Sequence, residues 1–111
     1  MKYHNIAPVN KQLAQEIFES QNISEICDAL VSVTFHEHDF YWVQEKCLCF
    51  LQSPDTQLSG LAATCLGHLA RIHAKLDKEK VVHALTLRQN DPEISGRIQD
   101  ALDDIEMFVL D

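Results

Sequence analysis

The chain has 111 residues, with 17 Asp and Glu against 9 Lys and Arg, for a formal charge of −8. A single domain of this size buries ~65% of the surface its unfolded chain exposes, so it needs no disulfide staple. The charge opposes binding to a nucleic-acid backbone, which takes clustered Lys and Arg, and favours a basic protein partner.

Met1 to Val9 reads as an irregular arm, because Pro8 disfavours helix at Ala7. The opening MKYHNIAPVNKQ has no apolar signal core, and no run approaches the ~20 apolar residues of a membrane span. A cytoplasmic protein is therefore expected. Asn10 is placed to cap a first helix from Lys11 to about Ser20, with Leu13, Ala14, Ile17 and Phe18 inward. Asn22 or Ser24 caps a second, carrying Ile23, Ile26, Cys27, Leu30 and Val33. Its end, VSVTF, is β-branched, but the helical period runs through it and it is read as helix. Phe35 to Trp42, FHEHDFYW, interleaves aromatics with His and acids and is either loop or helix end. Asp39 caps a third helix reaching Gln52, with Trp42, Val43, Cys47, Leu48, Phe50 and Leu51 as its apolar positions. Ser53-Pro54-Asp55 is a turn.

Gln57 to Lys75 follows as the central helix. Leu58, Leu61, Ala62, Cys65, Leu66, Leu69 and Ile72 make a broad apolar face. A second strip, Gly60, Ala63, Gly67, Ala70 and Ala74, has almost no side chain. Each Gly costs ~1 kcal/mol against Ala in a helix interior, so the pair implies that another helix backbone comes close on that side. Gln57, Thr64, His68 and Arg71 remain as a polar ridge. Asp77 caps a fifth helix from Lys78 to about Arg88, with Val81, Val82, Ala84, Leu85 and Leu87 apolar. Asn90-Asp91-Pro92 is a turn, with Pro92 near the first position of a sixth helix. That helix runs to about Val109 and carries Ile94, Ile98, Ala101, Leu102, Ile105 and Phe108. The reading is all-α, six helices and no strand.

The helices come in pairs with a 36-residue register. Asp55 falls on Asp91, Leu58 on Ile94, Ser59-Gly60 on Ser95-Gly96, Ala62 on Ile98 and Leu69 on Ile105. Moving back by the same step sets Ala62 on Ile26, Leu66 on Leu30 and Leu69 on Val33. The stretches LQSPDTQLSGLAATCLGHLARI and RQNDPEISGRIQDALDDI resemble HEAT repeats of the short bacterial kind, in which a D-P-E-V-type turn opens the second helix of each pair. That resemblance implies a short right-handed α-solenoid of about three HEAT-like hairpins, with units about 10–35, 39–73 and 77–109 in one domain. The sequence departs from the family where Ser59 and Ser95 stand in place of an Arg soon after the turn.

The chemistry-bearing residues do not assemble into a known motif. Cys27, Cys47, Cys49 and Cys65 lie in apolar helical patterns and read as buried thiols; Cys47 and Cys49, two apart, point to different sides of a helix. His36-x-His38 beside Glu37 and Asp39 lacks the second ligand pair of a metal site. His68 and His73 are too far round one helix to chelate together. No G-x-S-x-G, P-loop, H-E-x-x-H or Gly-rich dinucleotide turn occurs. No enzyme activity, cofactor, metal or small-molecule substrate is expected.

What remains is a surface. The 36-residue register lines up Asp28, Thr64 and Asp100 in one row and Ser32, His68 and Asp104 in the next. Glu25 and Asp103 flank these rows, with Arg71 as the cationic exception, and Glu37 and Asp39 follow beyond. Solenoids of this kind bind through the surface lined by their second helices. Size, acidity and build resemble immunity proteins of bacterial contact-dependent and polymorphic toxin systems. The resemblance implies a protein that masks a basic toxin domain, such as a nuclease, without turnover. A general HEAT-like scaffold or adaptor is the alternative. Phe35, Phe40, Tyr41 and Trp42 could add an aromatic anchor beside the acids.

Overall fold

The computed structural model describes residues 9–110, and the arm expected before Val9 lies outside them. Six helices follow in order: α1 Lys11–Phe18, α2 Ile23–His36, α3 Phe40–Leu51, α4 Thr56–His73, α5 Lys78–Leu87 and α6 Ser95–Phe108. Among the described residues there is no strand, and no helix is long and apolar enough to cross a membrane.

Four helix starts are set by the side chain before them. Asn10, Asn22, Asp39 and Asp55 each accept a hydrogen bond from the backbone N–H three residues on, which satisfies one of the orphan amides of a helix N-terminus. The choice between Asn22 and Ser24 falls to Asn22, at 3.0 Å from the Glu25 amide. VSVTF is helical through His36, and FHEHDFYW divides into the end of α2, a short turn and the start of α3.

Two starts differ from the expectation. Asp77 occupies the cap position of α5, but its side chain makes no capping bond. The Asp77 backbone N–H instead donates to Gln44 Oε1 at 2.8 Å, from the buried Gln44 of α3. Pro92 does not open α6, which begins at Ser95. Asp91 holds the chain in a turn first: its carboxylate accepts from the Glu93 amide at 3.0 Å and from Arg88 Nη2 at 2.7 Å, while Ile94 N–H donates to Asp91 O. Arg88 also donates to the carbonyl oxygens of Leu51 and Ser53, so its guanidinium ties the end of α3 to this turn.

α4 is the centre, packed against α2, α3 and α6. Leu66 and Leu69 are wholly buried in it; truncating either to Ala costs about 2–5 kcal/mol. The small-residue strip does bring a helix close. A Cβ on Gly67 would stand 3.3 Å from Ala101 Cα, and one on Gly60 would stand 3.3 Å from Ile94 Cγ2. Since residue 60 meets 94 and 67 meets 101, α4 and α6 run in the same direction. α2 joins them in that direction: Cys27, near its start, senses Asp55 at the start of α4, and Phe35, near its end, lies against His68. Burial repeats at the 36-residue step, with Val33, Leu69 and Ile105 all fully enclosed.

Several residues assigned to the core by period alone are at the surface: Leu13, Ile72, Leu87 and Phe108. The helical period identifies a face, but a helix at the edge of a layer has neighbours on only part of that face. Cys49 is likewise exposed, while Cys27, Cys47 and Cys65 are buried. The adjacent Cys65 thiol, and then burial, push the Cys47 thiol well above its ordinary value, which keeps it protonated and inert. Leu76, not assigned to any helix, is buried in the α4–α5 connection.

Candidate functional site

The close approach of α4 and α6 builds a groove along their shared edge. Thr64, His68 and Arg71 come from α4 at successive helical turns, and Asp100, Asp103 and Asp104 come from α6, around a cavity of about 340 Å³ floored by Ala101. The Gly67 position is what permits this shape. A Cβ there would lie only 2.9 Å from Asp104 Oδ2, so the missing methyl group lets the carboxylate lie flat over α4.

The groove carries three carboxylates against one guanidinium. Gln99 Nε2 donates to Asp103 Oδ1 at 2.9 Å. None of the ion pairs among the described residues includes Arg71 or any of the three Asp side chains. Asp100 and Asp103 are exposed and Asp104 half-buried, and such carboxylates without ion-pair partners sum into a negative field that reaches about a Debye length, ~8 Å at physiological salt. The Phe35 ring stands 5.0 Å from the imidazole of His68, so an aromatic surface borders the groove on the α2 side.

The other four acids of the sequence surface lie elsewhere. Glu25 is exposed in the first turn of α2, where a negative charge complements the helix N-terminus. Asp28 is half-buried on α2, with Oδ2 sealed from solvent and without a hydrogen-bond partner. Glu37 accepts from the Asp39 amide at 3.0 Å. Asp39 accepts from Trp42 N–H and pairs with Lys11 at 2.7 Å; that ammonium holds the carboxyl below its usual range. Glu37 and Asp39 thus have structural work in the α2–α3 turn, and α1 supplies the counter-charge.

The sequence did not signal the surroundings of Trp42 or His73. Lys11 and Lys46 lie 5.4 Å and 5.6 Å from the Trp42 ring, which also packs on Phe18. This leaves a basic-aromatic spot on an otherwise acidic molecule. Phe40 stacks on His73 at 4.7 Å, and burial, followed by repulsion from His38, holds the His73 imidazole below its ordinary value. Among the described residues no group of three or more His, Cys, Asp or Glu side chains converges closely enough to hold a metal ion. A wider, shallow depression lined by Tyr41, Leu76, Asp77, Lys78 and Glu79 lies near the start of α5, with no convergent charge of one sign.

Comparison with family models gives no match, and comparison with curated proteins gives none. Among solved structures, the chain is similar to one in the crystal structure of a CDI complex from Cupriavidus taiwanensis LMG 19424. The two share 30% sequence identity, with 97% of each chain covered and a TM-score of 0.84.

Proposed function

Because this chain belongs to the same family as that chain of the Cupriavidus CDI complex, we propose that it is a contact-dependent-inhibition immunity protein that binds and neutralises a cognate toxin domain. The observation that carries the reading is the end-to-end match, 97% of both chains, to a member of such a complex. The net charge of −8 and the α4–α6 groove support a basic toxin, of which a nuclease is the natural class, since its substrate-binding surface must be positive. The mechanism is stoichiometric occlusion in the cytoplasm, without turnover: the acids speed encounter by long-range attraction, and the docked helices cover the toxin's active site. In this reading the paired helices form a short right-handed, HEAT-like solenoid, and α2, α4 and α6 line its binding surface.

The test is co-expression with the product of the adjacent upstream gene, followed by survival and co-purification. Rescue from toxicity with a tight 1:1 complex is the expected result. Changing Asp100, Asp103 and Asp104 together to Asn should then slow association roughly tenfold or more at low salt and make the salt dependence shallower. A harmless neighbour with no complex refutes the immunity reading. Rescue with unchanged association in the triple variant refutes the acidic groove as the interface.

A further inference from the structure

Beyond the acidic groove, the ends of the three parallel helices carry an apolar surface. Phe35 on α2 is 49% exposed, Ile72 on α4 is 46% exposed, and Met107 and Phe108 on α6 are 68% and 36% exposed. Each stands beside a groove residue. Phe35 touches His68. Ile72, Met107 and Phe108 follow His68, Asp103 and Asp104 by one helical turn, which puts each on the same face as its predecessor. The offset that sets residue 60 beside 94 and 67 beside 101 brings Ile72 level with the end of α6. The exposed apolar groups are thus gathered at one end of the acidic groove. Grouped exposed apolar side chains rimmed by charge are characteristic of a surface that becomes covered.

We propose that Phe35, Ile72, Met107 and Phe108 form the desolvated centre of the toxin interface, and that the partner presents an aliphatic or aromatic side chain about one helical turn from a Lys or Arg. The proposal rests on the immunity reading and adds to it the division of labour within the surface. The acids of the groove capture the basic side chain and govern arrival. The apolar collar excludes water around the neighbouring side chain and governs residence, as the core of an interface does inside a polar rim. Charge complementarity selects the occupant. The collar is continuous with a groove of three carboxylates, so a second copy of this acidic chain would bring like charges together at the same edge.

The experiment measures association and dissociation rates of the purified cognate toxin domain at low and high salt. It compares the wild-type protein, the Phe35→Ala/Ile72→Ala double variant, and Leu87→Ala, an exposed apolar truncation on α5 away from this surface. The double variant is expected to dissociate about 30-fold faster, by a similar factor at both salt concentrations, while Leu87→Ala leaves the rates unchanged. Ala is the better helix former at both sites, so helix content and melting temperature check the fold. If the double variant melts early, the single Ile72→Ala carries the test, with a loss of about tenfold. Unchanged dissociation, or a loss confined to low salt, overturns the collar and leaves the immunity reading standing. A dimer of the free protein that the double variant dissolves assigns the collar to self-association and overturns the proposal. A wild-type chain that binds no toxin removes the immunity reading, and the collar proposal with it.

Discussion

Gly67→Ala tests the contact on which the groove depends. A Cβ at residue 67 would stand 2.9 Å from Asp104 Oδ2, 3.3 Å from Ala101 Cα and 3.6 Å from Ala101 Cβ. The carboxylate is the far end of a flexible side chain and can swing into water at little cost. The Ala101 backbone cannot move alone, because Ile98, Ala101 and Ile105 fix α6 against the core. The substitution gains about 1 kcal/mol of helix propensity and incurs about 1–3 kcal/mol of overpacking. A net destabilisation of about 1 kcal/mol is expected, a fall of roughly 4 °C in Tm for a domain of this size. Gly96→Ala is the internal control. It lies at the second helical position of α6, and a Cβ there meets nothing within 4 Å. It therefore keeps the propensity gain, up to about 1 kcal/mol, with no packing cost. Thermal and urea unfolding followed by circular dichroism give both values, provided the urea m-values agree. Opposite signs are expected. If Gly67→Ala stabilises as much as Gly96→Ala, α4 and α6 do not approach this closely, and the groove between them loses its basis.

Arg88→Ala removes the donor shared by the Leu51 carbonyl and the Asp91 carboxylate; a loss of about 1.5–3 kcal/mol in urea unfolding is expected, which Arg88→Lys should not restore because an ammonium lacks the planar fork. Ala74 caps α4 in the left-handed region at φ 55° and ψ 22°. Ala74→Gly relieves about 1–2 kcal/mol of strain against about 0.5–1 kcal/mol of added unfolded-state freedom, so Tm should rise by roughly 2–4 °C. His73 is held below its ordinary value of 6.5, first by burial and then by His38. Between that lowered value and 6.5 the unfolded chain binds more protons than the folded one, so stability falls as pH drops through this window and levels off below it. Unfolding midpoints measured across the window should slope less in His73→Gln than in the wild-type protein.

Local signals carried most of the helix boundaries. Asn10, Asn22, Asp39 and Asp55 cap with their own side chains, and that chemistry is visible within four residues. The α5 start was not visible in this way, because the group that satisfies Asp77 N–H comes from Gln44, 33 residues earlier. The stop at Ala74 was also silent: nothing about an alanine announces a left-handed cap. For the groove, the 36-residue register gathered Thr64, His68, Asp100 and Asp104 because helices running in one direction with a fixed offset turn sequence spacing into neighbourhood. The same register also drew in Asp28, which the fold half-buries, and it could not foresee that Lys11 would occupy Asp39. Apolar period placed Ile72 and Phe108 in the core, although both face water beside the acids. Periodicity carries direction around a helix and no information about depth.

The common direction of α2, α4 and α6 has an electrostatic consequence independent of any side chain. Their C-termini, at His36, His73 and Phe108, come to one edge, where the last carbonyl groups of each helix carry together about half a negative charge, answered at α6 by Lys78 Nζ, which donates to Val109 O at 3.0 Å. Aligned backbone dipoles thus add a negative contribution at the collar edge to that of the acids beside it, partly offset by the starts of α3 and α5, which reach the same edge at Phe40 against His73 and Lys78 against Val109. Substituting the three Asp residues cannot remove it. A residual attraction for cations should therefore survive in the triple Asn variant, short in range because a dipole's field fades within the last turn. A basic ligand held there would be gripped by peptide groups the chain cannot lose while it stays folded.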